Sequence, residues 1–222
     1  SNMQQKYDHE QNARISRIGI QTLRNKVVAD FGAGPGLFLD AAQGAAKRTI
    51  AVEPSRLYQK YFESRGHTFY GYPEELLAAS EKVEVAVSFD TIEHILNVHE
   101  FAKQIYGALV DGGTFYLSMP NHRDMVRLTC PETFEPFFYQ VSHLNYFDKD
   151  STLSVLKAAG FRDISIGYLH KYTIDNLLQW QRNGKPGILD TGATFDIHFH
   201  NVYRAEIERL GIASHLFAVA RK

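Results

Sequence analysis

The stretch Val27-Val28-Ala29-Asp30-Phe31-Gly32-Ala33-Gly34-Pro35-Gly36-Leu37 constrains the fold of this chain more than any other. A short apolar run ends on an acid, three glycines follow at alternate positions, and a helical pattern opens at Leu37. Such a run reads as a buried strand, a tight turn and the start of a helix. Glycine is required where backbone turns sharply or where a ligand must approach without a Cβ in the way. A dinucleotide-binding turn would read G-x-G-x-x-G. That pattern needs its third glycine at position 37, which is Leu37, so the spacing here is G-x-G-x-G.

From about 26 to 120, short apolar strands alternate with amphipathic helices. The pattern predicts strands at 26–31, 48–52, 67–70, 83–89 and 113–119, and helices at 37–45, 55–65, 73–80 and 97–110. This alternation specifies an α/β fold, a parallel sheet with helices on both faces and right-handed crossovers. Leu109-Val110-Asp111-Gly112-Gly113 reads as a helix stopped by glycines before the next strand. A polar amphipathic helix is expected at 5–24. Residues 121–148 lack periodicity and are rich in aromatics. A helix at 149–159 has Asp148 or Asp150 as its N-cap and Gly160 as its stop. A strand at 161–168, a mostly helical segment at 171–211 and an apolar strand at 214–220 complete the chain. Residues 3–222 read as one domain, with Ser1 and Asn2, ahead of Met3, as a cloning-tag remnant.

The balance of 24 basic against 25 acidic residues carries no electrostatic footprint for nucleic acid. The single cysteine, Cys130, excludes an internal disulfide and any multi-cysteine zinc site. No stretch reaches the ~18–20 continuous apolar residues of a membrane span, and no signal-like apolar region precedes the first helix. The expectation is a cytoplasmic protein, a monomer or homodimer, with neither membrane nor nucleic acid as partner.

In an open α/β sheet, ligands bind beyond the carboxyl ends of the strands, where the strand order reverses. The first such end is Asp30 to Gly36, with Gly32, Ala33, Gly34 and Gly36 forming the turn. The second is Val52-Glu53-Pro54, where an acid can hold both hydroxyls of a ribose through its two oxygens. Glu53 alone specifies a ribose and not which cofactor carries it.

The G-x-G-x-G turn with Asp30 two residues ahead resembles motif I of class I S-adenosylmethionine (SAM) dependent methyltransferases. Phe89-Asp90-Thr91-Ile92-Glu93-His94 resembles the FDxIEH signature of a small-molecule group within them, which includes ubiquinone-pathway O-methyltransferase-like and sugar-modifying enzymes. Three further matches follow in order: Leu109 through Gly112, Gly113, Phe115, Leu117 and Ser118 to Pro120-Asn121; His143 and Phe147 leading to Ala159-Gly160-Phe161; and the closing Leu216–Lys222. The resemblance covers roughly residues 13–170 and the last strand. It implies a Rossmann-like sheet of seven strands, the last one antiparallel, with SAM as cofactor.

By that resemblance the turn receives the methionine tail, Asp30 accepts from it, and Phe89, Asp90 and Thr91 line the sulfonium and methyl group. The loop after the third strand, Gly71-Tyr72-Pro73-Glu74, lacks the acid often found near the adenine, and Tyr72 is the candidate to stack there. A hydroxyl acceptor gains ~10²–10⁴-fold from a general base, and histidine suits the task because it titrates near neutrality. His143 is the first candidate and His94 the second. Phe134, Phe137, Phe138, Tyr139, Tyr146 and Phe147 are candidates for an apolar acceptor wall. In Asp196-Ile197-His198-Phe199-His200, two histidines at alternate positions could share a strand face, but no further ligands complete a set, so no metal is expected.

The reading is a SAM-dependent methyltransferase acting on a small molecule, with O-methylation ahead of N- or C-methylation on a sugar nucleotide or other metabolite. Its rivals are an NAD-dependent oxidoreductase, disfavoured by the glycine spacing, and a catalytically silent SAM-binding partner protein.

Overall fold

The computed structural model describes residues 2–187 and 195–222. Ser1 and the 188–194 part of the expected helical segment lie outside the described residues. The strands are β1 Val27–Phe31, β2 Arg48–Val52, β3 Thr68–Tyr70, β4 Val83–Phe89, β5 Leu109–Pro120, β6 Arg162–Leu169 and β7 His215–Arg221. They form one seven-stranded sheet in the order β3-β2-β1-β4-β5-β7-β6. β1 pairs in parallel with β2 on one side and with β4 on the other, so the chain winds outward both ways from that point. The crevice beyond Phe31 and Phe89 is therefore the switch point where a ligand is expected. β7 is antiparallel to both β5 and β6, as expected, which brings its first residue rather than its last to the ligand edge.

The helices are α1 Asn2–Ile18, α2 Ile20–Leu23, α3 Leu37–Ala42, α4 Gln59–Ser64, α5 Pro73–Ala78, α6 Val98–Ala108, α7 Met125–Thr129, α8 Pro131–Phe138, α9 Lys149–Ala159, α10 Ile174–Asn183 and α11 Ile197–Arg209. α6 shows why they form and where they pack. Asn97 caps it by accepting from the Glu100 N–H, and Phe101, Ala102, Ile105 and Ala108 bury one stripe against the sheet. α9 carries a reciprocal cap between Asp148 and Ser151 and stops at Gly160 in the left-handed conformation. Of the two candidate caps, Asp148 is the one used.

One core lies against α6 and α9, with Ile105, Phe115, Leu117 and Leu156 at its centre. A second, on the other face, joins Leu23, Phe38, Leu39 and Phe62 to the β1 and β4 side chains. Each such fully buried side chain contributes roughly 1.5–3 kcal/mol. A third, smaller cluster of Val126, Phe134, Phe138, Leu177 and Trp180 sits beyond the sheet edge.

Several boundaries differ from the sequence expectation. The single helix at 5–24 is broken at Gly19, whose φ of 86° interrupts the helical run between α1 and α2. The helix at 55–65 begins as a tight turn at Arg56–Tyr58 before α4. Leu109–Gly113 is strand, not helix end: Lys222 N–H donates to Gly113 O and Gly112 N–H to Lys222 O, so these glycines serve the β5–β7 edge. Residues 121–148 contain α7 and α8, short helices whose few turns leave no resolvable period.

Candidate active site

The glycine turn is built by contacts that exclude a side chain. At Gly32, with φ of 85°, a Cβ would overlap the Thr91 side chain. At Gly36, with φ of 80°, a Cβ would stand 2.5 Å from the Phe62 ring. Gly34 differs: its φ is 51°, yet a Cβ would have nothing within 4 Å. The first and last glycines are thus demanded by packing, and the middle one faces open space. The Gly34 N–H donates to Glu53 Oε2 at 2.9 Å, and the Ser55 N–H donates to Glu53 Oε1 at 2.9 Å. Those two bonds, with Pro54 fixing the chain between them, hold the carboxylate at the tip of β2. Each oxygen retains a lone pair for a further donor.

A cavity of about 220 Å³ opens over this turn, bounded also by Gln11, Arg14, Asp30, Phe38, Phe89 and Asp90. Burial pushes the Asp30 carboxyl up to about 7, against the opposing pull of Arg14, with Glu53 adding to the rise. Phe89 packs edge-on against Phe38 and lies under the Arg14 guanidinium, 4.8 Å from the ring centre. Thr91 donates to Phe89 O at 3.1 Å, closing the β4 end against Gly32.

Asp90 adopts φ of 52°, a conformation that non-glycine residues rarely take and that clusters at functional sites. Its Oδ2 accepts from Arg14 and from Lys171, each at 3.0 Å, and its Oδ1 accepts from Ser118 Oγ at 3.2 Å. The His215 Nε2 lies 3.8 Å from Oδ1. Burial opposes the Asp90 charge, but the cations Lys171 and Arg14 outweigh it and hold the carboxyl far below its usual range.

A second cavity, about 180 Å³, is lined by His215, whose Nε2 stands 3.8 Å from Asp90 of the first. Phe134, Phe137, Phe138 and Trp180 wall it, and Asp124, Tyr172, Asn176, His143 and His215 supply its polar end. Trp180 meets Phe134 edge-on at 4.9 Å. Burial raises Asp124 to about 6, though it accepts from the Val126 N–H, and raises Tyr172 to about 12.

His143 reaches this wall, while His94 stands behind it with its ring 4.9 Å from that of His143. The His94 Nδ1–H donates to Ser142 O at 2.7 Å, which leaves Nε2 as its acceptor nitrogen. Glu93 is buried, and its Oε2, like His143 Nδ1, has no hydrogen-bond partner among the described residues. Ligand atoms of Glu93, His94 and His143 lie within 4.8 Å of one another, a spacing that could admit a cation. Burial raises the Glu93 carboxyl to about 7.

The structure gathers Asp30, Gly32, Ala33, Gly34, Phe89, Asp90 and Thr91 on one cavity and places Glu53 behind the turn. Tyr72 is half exposed at the start of α5, off the cavity wall. Of the aromatic loop, Phe134, Phe137 and Phe138 line the second cavity, whereas Phe147 belongs to the core, and Tyr139 and Tyr146 stack beside His122. The strand-face pairing of His198 and His200 is overturned. Both lie on α11, where alternate positions point apart; His200 is buried beside Asp175 at 3.4 Å and His198 is exposed. Asp196 caps that helix through the Phe199 N–H. Cys130 accepts no catalytic neighbour and precedes α8. Sequence reasoning missed Arg14, Lys171, Trp180 and His215. The signals available were the apolar spacing of Leu177 and Trp180 on α10 and the place of His215 at the start of an apolar strand.

Sheet order, inserted antiparallel strand and ligand crevice together define a class I methyltransferase fold. A family model described as a methyltransferase domain matches residues 3–166, and the chain belongs to that family. It is a SAM-dependent methyltransferase domain. A SAM-dependent methyltransferase from Archaeoglobus fulgidus shares the fold with a TM-score of 0.66 and 18% identity, over 97% of this chain and 94% of that one. Phosphoethanolamine N-methyltransferase 2 of Haemonchus contortus, solved in complex with SAM, has a TM-score of 0.61 and 16% identity, over 96% of this chain and 52% of that one. C-methyltransferase NovU of Streptomyces niveus is 23% identical over 158 residues, which is 68% of this chain and 36% of that protein. The chain thus spans about a third of the length of that curated relative. Among the described residues, no helix is long and apolar enough to cross a membrane.

Proposed function

We propose that this domain transfers a methyl group from SAM to an oxygen of a small, largely apolar acceptor held in the aromatic-walled cavity. The observation that carries the reading is that His215, which lines one cavity, stands 3.8 Å from Asp90, which lines the other. The first fits SAM by its chemistry. The open space beside Gly34 is a cradle that a Cβ would fill. Glu53 keeps lone pairs for ribose hydroxyls, and the Phe89 face with the Asp90 carboxylate already holds a cation, Arg14.

SAM supplies an electrophilic methyl group on a sulfonium. The chain's own task is alignment, which can lower a barrier by roughly 7–11 kcal/mol. Phe134, Phe137 and Trp180 exclude water and orient an apolar ring, and Tyr172, Asn176 and His143 offer it polar contacts. His94 supports His143 from behind. The aromatic wall favours a flat acceptor over a free sugar, while the likeness to a C-methyltransferase keeps carbon methylation as the second reading.

Calorimetry with SAM, S-adenosylhomocysteine and NADH tests the cofactor half. Binding of both sulfur ligands without NADH supports the reading, and binding of NADH alone overturns it. A screen of phenolic, amine and enol acceptors with methyl-labelled SAM then tests the acceptor half; labelling on carbon or nitrogen would overturn O-methylation.

A further inference from the structure

We propose that His215 Nε2 takes the proton from the acceptor's nucleophilic hydroxyl, with Asp90 steadying the imidazolium that results. The assignment rests on the reading that the acceptor occupies the aromatic-walled cavity. It names a residue outside the sequence motifs.

Nε2 is taken as the basic nitrogen of His215, a tautomer that the surroundings of Ser214 accommodate. Ser214 Oγ has one proton, which it donates to Leu169 O at 3.3 Å. It accepts from the Lys171 N–H at 3.1 Å. Its remaining lone pair faces His215 Nδ1 at 3.0 Å and accepts from an Nδ1–H, the proposed tautomer. Nε2 is then a bare lone pair. It faces Asp90 Oδ1 at 3.8 Å, an atom that is itself an acceptor. Two acceptors so placed repel until a donor comes between them. A hydroxyl ~2.8 Å from Nε2, the usual hydrogen-bond length, gives its one proton to that nitrogen, with Asp90 Oδ1 3.8 Å from the same nitrogen. His215 lines the acceptor cavity and Asp90 lines the cofactor cavity, so this position lies where acceptor and methyl group meet.

Topology explains how the residue arrives there. β7 is antiparallel, and His215 pairs with Pro120 of β5 and Leu169 of β6 at the ligand edge. The groups facing the imidazole are Asp90, Lys171, His170 and Arg14; burial and the two cations push it down to about 3, so it is neutral at pH 7 and a weak base, and the carboxylate opposes them. A neutral imidazole is the form that can accept a proton. His143 lacks this arrangement, because its nearest ionisable ring is His94, whose charge would oppose its own.

The step balances. The acceptor O–H bond breaks and its proton goes to His215 Nε2. The oxygen bonds to the methyl carbon as the C–S bond breaks, and that electron pair stays on sulfur as a neutral thioether. The proton returns to water when product leaves.

The test begins without any acceptor. In protein labelled with ¹⁵N-histidine, long-range proton–nitrogen correlation reports each ring tautomer, and His215→Asn identifies the His215 signals. The expected result is Nδ1–H with an unprotonated Nε2 at pH 7. An Nε2–H tautomer or an imidazolium overturns the assignment. The second readout compares methyl transfer to catechol and to the more acidic 4-nitrocatechol. His215→Asn should lose ~10²-fold or more on catechol and markedly less on 4-nitrocatechol, which needs less help to shed its proton. Equal losses on both would mark His215 as structural. Failure of the wild-type protein to bind SAM would instead overturn the proposed function, a result distinct from either of these.

Discussion

Arg14 donates to Asp90 Oδ2 at 3.0 Å across 76 positions of sequence, fastening the first helix to the end of β4. Both side chains are largely buried, at 20% and 28% exposure, so solvent screens the pair only in part. Arg14→Ala should destabilise the fold by about 1–2 kcal/mol, as for a hydrogen bond to a charged group. It should also speed amide exchange over residues 10–18 above all. Thermal melts and hydrogen exchange check this; uniform exchange changes across the sheet would contradict it.

The glycines of the turn should not respond alike to substitution. Gly32→Ala meets both a left-handed φ and the Thr91 side chain, whereas Gly34→Ala meets the φ alone. The expected cost is roughly 1 kcal/mol for Gly34→Ala and clearly more for Gly32→Ala. The Gly34 variant should nevertheless lose cofactor affinity, because its methyl group projects into the cradle. Melting temperature and S-adenosylhomocysteine affinity, measured on both, separate the two effects.

Glu53→Gln keeps the shape of the residue at the tip of β2 but discards its charge. One amide oxygen can still accept from a backbone N–H, while the amide nitrogen cannot accept from the other. Cofactor affinity should fall about 10-fold to 100-fold, the worth of one or two charge-assisted bonds, with a modest fall in melting temperature for the lost backbone bond. Calorimetry decides it, and undiminished affinity would remove Glu53 from the ribose site.

Glu93 makes stability depend on pH in a definite direction. Its pKa rises from 4.5 in the unfolded chain to about 7 on folding. The folded state therefore binds the proton more tightly, so the stability it contributes is full below about pH 4.5 and is lost as pH rises through 7. The loss is on the order of 3 kcal/mol at most. Glu93→Gln has no proton to lose, so its melting temperature should gain on the wild type between pH 5 and pH 8. A constant difference across that range would refute the assignment.

The proposed cofactor half of the site could be read from the sequence because its residues are consecutive. Asp30 to Gly36, Glu53-Pro54 and Phe89 to Thr91 each lie at one strand end, where local pattern and sheet topology coincide. The acceptor half was not legible in the same way. Lys171 reaches Asp90 across 81 positions, and Trp180 meets Phe134 only because α10 folds back over α8. His215 was readable as the start of an apolar strand, but nothing local tells that this strand runs backwards. The break at Gly19 was missed for a related reason: polar residues on both sides sustain one helical period across a residue whose backbone does not follow it.

The reversed direction of β7 has a consequence for engineering. Six strands deliver their trailing ends to the crevice, and β7 delivers its leading end. The polypeptide between Asn121 and Ser214 thus leaves the crevice and returns to it, carrying most of the aromatic wall and setting His215 in place on re-entry. On the proposed reading, substitutions of the wall residues within that stretch should change which molecule is methylated and leave the glycine turn and Glu53 as they are.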